Sequence, residues 1–326
     1  MMKHLGRIAA IVGLGVALWL LWRENAGAVL GMMRAAGGGL VLAAMAHLLP
    51  MLANAKGWQT LMRGAMRPNL AAVLRWVWIR ESVNGMLPVA RIGGEIVTFR
   101  MMRRWGMRPS TVVASLVVDT QLTLISQLLF AVAGIGYLVD RAASPSMHLA
   151  AHITWGVVVL APVLVLFSLM HHASPFERLA HFFNRVTSGK LAGLVGESAR
   201  TDQSIRFIWR RRRIVMSYLF VWQSFQFCAT ALEIWLALYF LGTQASFLKA
   251  LVLESLIQAL SSVAFFVPGA LGVQEGGFLL IGGALGLDPQ TSLALAGARR
   301  IRDLFILLPG LLAWQFSELR GAHRNK

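Results

Sequence analysis

Acidic residues are scarce in this 326-residue chain: 14 Asp and Glu stand against 31 Lys and Arg, and charged residues make up only 14% of the whole. Soluble domains carry roughly 25% charged residues, so the deficit excludes the usual soluble-enzyme classes. Cysteine is scarcer still. The one thiol, Cys228, falls inside an apolar segment, which rules out an internal disulfide and a cysteine-built metal cluster. A nucleotide-binding loop is lacking as well, because Gly189-Lys190 is followed by Leu191 and the upstream glycine of a phosphate loop is missing. Nor is there room for a separate catalytic domain once apolar spans of ~20 residues each are set aside.

What remains is apolar. Hydrophobic residues reach 57% and mean hydropathy is +0.63, the composition of an all-α polytopic membrane protein and of a single membrane domain over residues 1–326. The formal net charge of +17 fits basic loops held against an anionic leaflet, so nucleic acid is not expected as a partner. Apolar runs at 8–22, 30–55, 111–139, 149–170, 214–241 and 291–316 are each read as a span. The first could be a signal peptide, since Ala26-Gly27-Ala28 resembles a cleavage site, but Trp19 and Trp22 suit an interfacial belt and a retained span is expected.

Two further stretches are interrupted. Residues 70–87 and 246–267 are helix-like, and each runs into a proline and a glycine-containing turn, 88–95 and 268–275, before a second segment too short to span, 96–105 and 276–287. Proline stops the helix and glycine permits the turn. If both hairpins, 70–105 and 246–287, return to the side they entered from, 21 basic residues fall on one side and four on the other. That asymmetry predicts about six full spans plus two re-entrant broken-helix hairpins with both termini cytoplasmic. Eight full crossings are the alternative.

The chain also repeats. An ungapped shift of 180 residues aligns Pro88 with Pro268, Ala90 with Ala270, Glu95 with Glu275, Gly106 with Gly286, Pro109 with Pro289, Thr111 with Thr291 and Ala114 with Ala294. The first repeat covers 30–140 and the second 214–316, and in the six-span arrangement their hairpins enter from opposite sides. They are therefore read as inverted repeats, whose binding cavity lies where the two discontinuous elements meet. Between them, 174–213 is a cytoplasmic basic loop in which Phe176, Leu179, Phe183 and Val186 recur at helical spacing, as in an amphipathic helix lying on the membrane.

Seven of the acids sit in apolar segments or hairpins: Glu81, Glu95, Asp119, Glu233, Glu254, Glu275 and Asp303. Each costs roughly 2.5–3.5 kcal/mol at a helix centre, so each needs a partner or water. Arg91 lies four residues before Glu95, Arg299 four before Asp303, and Arg80 adjoins Glu81, spacings at which side chains can meet. One reading makes them internal ion pairs; the other makes them the lining of a path for a charged headgroup or a proton. His148 and His152 are also four apart, but no nearby carboxylate or cysteine completes a ligand set, and neither a metal nor a cofactor is expected.

The strings Arg80-Glu81-Ser82-Val83-Asn84, Leu87-Pro88-Val89, Gly93-Gly94-Glu95, Val117-Val118-Asp119-Thr120 and Val267-Pro268-Gly269-Ala270-Leu271-Gly272-Val273-Gln274-Glu275, with Arg299-Arg300, resemble the flippase-like transmembrane domain of the lysylphosphatidylglycerol synthases. The Glu-Ser-Val-Asn and Asp-Thr spellings are most similar to the hopanoid-biosynthesis-associated membrane protein branch (HpnL). The resemblance covers roughly residues 30–316. It implies translocation of a polar lipid, hopanoid-type or anionic phospholipid, in the bacterial inner membrane, without the aminoacyl transfer that a separate soluble domain performs in the bifunctional synthases. Lipid-synthesis enzymes are further candidate partners. The residues expected along the path are Arg80, Glu81, Asn84, Pro88, Arg91, Gly93, Gly94, Glu95 and Asp119 in the first half, and Glu254, Pro268, Gly272, Glu275, Arg299, Arg300 and Asp303 in the second. With no nucleotide motif, the driving force is expected to be a proton gradient or the lipid gradient. An intramembrane lipid-modifying enzyme and a scaffold for lipid synthesis are the competing functions.

Overall fold

The computed structural model describes residues 2–62, 68–87, 93–140, 192–264 and 267–324. The 149–170 span, most of the basic loop with its amphipathic helix, the two histidines at 148 and 152, and Pro88 and Arg91 lie outside the described residues. Every described element is helical. In order they are α1 (Met2–Arg23), α2 (Ala26–Ala36), α3 (Gly38–Met45), α4 (Leu48–Leu61), α5 (Leu70–Met86), α6 (Gly93–Arg104), α7 (Pro109–Asp140), α8 (Ala192–Arg210), α9 (Arg212–Ser217), α10 (Ser224–Phe240), α11 (Phe247–Val263), α12 (Val273–Ala284), α13 (Pro289–Arg302) and α14 (Leu308–Arg324). A π-helical turn, Tyr218–Gln223, joins α9 to α10, and another, Asp303–Leu307, joins α13 to α14. Gly38–Leu61, Pro109–Asp140 and Arg212–Phe240 are long and apolar enough to cross a membrane. The chain is a helical membrane protein.

Local chemistry fixes most of the boundaries. Side-chain oxygens of Asn69, Ser246 and Asp288 cap α5, α11 and α13 by accepting from backbone N–H groups three residues on. Prolines open α7 and α13, and the turns before them use Gly106 at φ 98° and Gly286 at φ 82°. The 180-residue shift is thus visible in the backbone, since α6 and α12 start at 93 and 273 and α7 and α13 at 109 and 289. The apolar run at 30–55 is not one helix, however. Gly37 adopts φ 50° between α2 and α3, whereas Ala46 and His47 stay right-handed helical, so α3 runs into α4 through a tightened turn. Hydropathy is blind to such breaks because glycine, alanine and leucine keep the run apolar.

Each interrupted element folds back on itself. Gly94 of α6 and Trp105, just past its end, approach Asn84 and Trp76 of α5, so the two helices run antiparallel. Likewise Gln274 and Gly277 of α12 meet Ser261 and Leu260 of α11. Two large apolar cores and two smaller ones result among the described residues. Of the large pair, one gathers Trp58, Trp76, Met102, Val118, Leu122, Ile208 and Tyr218 around α4 to α9; the other gathers Val29, Leu40, Ile234, Leu253, Ile257, Phe278 and Leu295 from α2, α3 and α10 to α13. Within a bilayer such cores hold by close packing, since lipid is as apolar as leucine. The polar site described next draws its walls from both.

Candidate functional site

A cavity of about 450 Å³ lies among α4, α5, α6, α7, α10, α11, α12 and α13. That is within the size range of small-molecule sites, ~300–1,000 Å³. Its lining is unusual for a chain this apolar: charged, amide-bearing and hydroxyl-bearing side chains and His47 dominate, and Pro50, Gly85, Leu124, Phe227 and Leu307 are the exceptions.

The charged wall begins at α5. Arg80, 7% exposed, donates from Nη1 to Oδ2 of Asp119 at 2.7 Å and from Nη2 to Oδ1 of Asn54 at 3.4 Å, with its guanidinium carbon 4.8 Å from the centre of the Trp58 ring. The Tyr218 hydroxyl donates to the other Asp119 oxygen at 2.6 Å, and Gln223 donates in turn to the Tyr218 oxygen at 3.0 Å. Tyr218 and Gln223 are the first and last residues of the first π-turn; the wider turn sets Gln223 behind the Tyr218 hydroxyl that holds Asp119, and such turns are frequent at functional sites. Arg80 therefore reaches across helices to Asp119 and not to its sequence neighbour Glu81.

Glu81 faces His47 instead. Nδ1 of His47 donates to Oε2 of Glu233 at 2.7 Å, and Nε2 lies 3.6 Å from Oε2 of Glu81. His47 stands at the tightened turn between α3 and α4. Three residues beyond Glu81, Asn84 donates to both oxygens of Glu95 at 3.2 and 3.1 Å and accepts from the backbone N–H of Gly94 at 2.8 Å. Only glycine fits at 94, because a Cβ there would come 2.5 Å from the carbonyl oxygen of Arg80. Gly93, which opens α6, belongs to the same fold-back.

In the second half, buried Arg299 donates to fully buried Glu254, which also accepts from Gln258 at 2.9 Å. Asp303, four residues on, is taken by Arg302 at 2.7 Å and by Arg300 at 3.4 Å. Helical spacing allowed an Arg299 to Asp303 pair, but the π-turn starting at Asp303 alters the register and α11 offers Glu254 at closer range. Arg300 further donates to Glu275 at 2.7 Å and to the carbonyl of Gly269 at 3.0 Å. Glu275 accepts from the backbone N–H of Gly272 at 2.7 Å, capping α12. Pro268, Gly269 and Ala270 form the 3-10 turn before it, where Ala270 takes φ 47°, a conformation rarely seen outside glycine.

The geometry therefore divides the expected path residues. Arg80, Glu81, Asn84, Glu95, Asp119 and Arg299 line the cavity. Glu254 stands behind Arg299. Gly272, Glu275, Arg300 and Asp303 form a neighbouring cluster that holds the second helix break and touches the cavity through Arg302. Among the described residues no group of three or more His, Cys, Asp or Glu is arranged to hold a metal ion.

The profile of the lysylphosphatidylglycerol synthase TM region matches residues 7–310. The chain belongs to this family. A UPF0104 membrane protein of Pyrococcus horikoshii, PH1989, is 23% identical over 319 residues, covering 93% of this chain and 94% of its own length. No solved structure matches.

In this synthase TM region protein, sequence reasoning overlooked a whole wall of the site. Gln127, Gln223, Gln226, Gln258 and Gln274, with Thr120, Thr123, Thr230, Ser261 and Ser262, face the charged side from α7, α10, α11 and α12. Some of these groups pair with each other, as Ser262 does with Gln127 at 2.9 Å and Gln274 with Ser261 at 3.2 Å. Others keep unused capacity: Oε1 of Gln223, Oε1 of Gln226 and Nε of Arg299 are buried without a hydrogen-bond partner. Five amides in apolar helices were the available signal. Asn54 and His47 were missed for the same reason, that each is an isolated polar group in a mostly apolar run, and Arg302 because its neighbours Arg299, Arg300 and Asp303 drew the attention.

Proposed function

We propose that this protein moves a polar lipid between the leaflets of a bacterial inner membrane, the headgroup passing through the cavity while the acyl or isoprenoid part stays in lipid. The observation that carries this reading is the cavity itself: charged and amide groups surround about 450 Å³ inside a helical membrane protein. A headgroup leaving water loses its hydration, and preset donors and acceptors at depth replace it. Membership of a family named for a lipid synthase's transmembrane region supports a lipid as cargo. The lining suits an anionic phospholipid or a hopanoid carrying a polar group; a bare triterpenoid needs no charged path. We read α5 with α6 and α11 with α12 as re-entrant hairpins of two inverted repeats, among about six full spans, with both termini cytoplasmic. That arrangement would let the two halves exchange roles as the cavity opens to either side.

Purified protein in vesicles containing fluorescent phosphatidylglycerol, or a fluorescent amino-functionalised hopanoid, tests the reading. Exchange of the label between leaflets, lost on sealing the cavity with Gln226→Trp, is the expected result. Chemical conversion of the lipid without exchange would replace transport with an intramembrane enzyme, for which the His47 and Glu81 pair supplies acid and base.

A further inference from the structure

We infer that His47, with Glu81 and Glu233, forms a proton-binding site opening on the cavity, and that proton uptake there is coupled to cargo movement. The second clause rests on the transport reading; the first does not. The ring sits between two carboxylates on different helices, Glu233 of α10 at 2.7 Å and Glu81 of α5 at 3.6 Å. With its Nδ1 proton committed to Glu233, the Nε2 lone pair of neutral His47 is directed toward Glu81 and the cavity, which both residues line. A proton arriving from cavity water binds that lone pair, and the same N–H bond breaks to release it to water.

Charge makes the uptake favourable. From Glu81 the contacts run without interruption through His47, Glu233, Arg302, Asp303 and Arg300 to Glu275. Four carboxylates in this chain meet only two guanidiniums, and Arg299, the other cation on α13, is engaged by Glu254. A proton on His47 offsets part of the excess negative charge, which is costly at membrane depth. The far end of the chain is the cap of α12, where Glu275 holds the backbone of Gly272 and Arg300 holds that of Gly269. Loading His47 weakens the hold of Glu233 on Arg302, and the Arg302 to Arg300 stretch transmits the change to the second helix break. Proton relays in membrane proteins are built from such Asp, Glu and His chains.

The test uses full-length protein with isotope-labelled histidine in vesicles of phosphatidylethanolamine and phosphatidylglycerol. The His47 imidazole resonance, assigned by its loss in His47→Gln or, if that variant does not assemble, by its displacement in Glu81→Gln, should change protonation state between about pH 5 and 8. In the same vesicles a transmembrane difference of one pH unit should skew fluorescent phosphatidylglycerol exchange by up to about ten-fold, and His47→Gln should abolish the skew. An imidazole fixed in one state across that range overturns the site. A titrating His47 with gradient-independent exchange in the parent overturns the coupling. If the parent moves no lipid while His47 still titrates, the proton site stands and the transport reading fails.

Discussion

Glu95 and Glu275 are related by the repeat yet live differently. Glu95 faces the cavity with the neutral amide of Asn84 beside it, whereas Glu275 is tied to Arg300 and to the backbone of α12. Glu95→Gln should therefore leave thermal unfolding nearly unchanged while reducing lipid exchange at least ten-fold, and Glu275→Gln should destabilise by about 1–3 kcal/mol before any effect on exchange is considered. Equal stability losses in a calorimetric comparison of the two would contradict the division. Arg299 gives a second prediction. Truncating it to Gln leaves Glu254 buried and unpaired, at a cost of roughly 3–5 kcal/mol. Glu254→Gln in the same chain should recover most of that loss, while Asp303→Asn should not, and a double-mutant cycle measures both. Buried acids were easy to find in the sequence because a charge interrupts an apolar run. The partners of Asp119, Glu254 and Glu275 were not, since helical spacing reveals neighbours on one helix and these pairs reach between helices, whereas Asp303 keeps local partners in Arg302 and Arg300.

Helix starts and stops were largely written in capping residues and prolines, and α5, α7, α11 and α13 begin within two residues of where those signals lie. The π-turns and the tightened turn at His47 had no such signature, because they depend on what packs alongside; the break at Gly37 did have one, the run Gly37-Gly38-Gly39, which a hydropathy reading passes over. Nε1 of Trp78 donates at 2.7 Å to the carbonyl of Ile306, inside the second π-turn. Trp78→Phe should cost about 1 kcal/mol and, by loosening the turn that positions Asp303, lower exchange as well. Asp288 offers a test at an exposed helix start. Partial burial raises its pKa, but hydrogen bonds from Thr291 outweigh that and hold the carboxyl below its ordinary 3.8. Its cap is therefore fully present above about pH 4 and is lost as pH falls below. Asp288→Ala should destabilise by about 1 kcal/mol at neutral pH, and the gap from the parent should narrow near pH 3 in thermal melts.

For the whole molecule, the basic-residue asymmetry and the 180-residue shift make a definite statement about sidedness. In a Cys228→Ser background, needed because that thiol is exposed, Arg100→Cys and Arg320→Cys should label only from the cytoplasm and Asp288→Cys only from outside. Labelling of position 100 from outside would replace the re-entrant hairpins with full crossings. The matching starts of α6 and α12 and of α7 and α13 were legible because the same prolines and glycines shape the backbone at both places. Asp119 and the arginines on the cavity wall were legible as buried charges, but the amide wall was not, since an uncharged glutamine demands no counter-charge and was not singled out. That wall has a kinetic meaning. An amide offers a donor and an acceptor on one rotatable group, so under the proposed transport a hydroxyl or phosphate would be able to trade one of the lining glutamines for another without an interval of isolation. The walls of a deep single well would trap a cargo; a row of interchangeable shallow ones keeps the energy profile level and lets it pass.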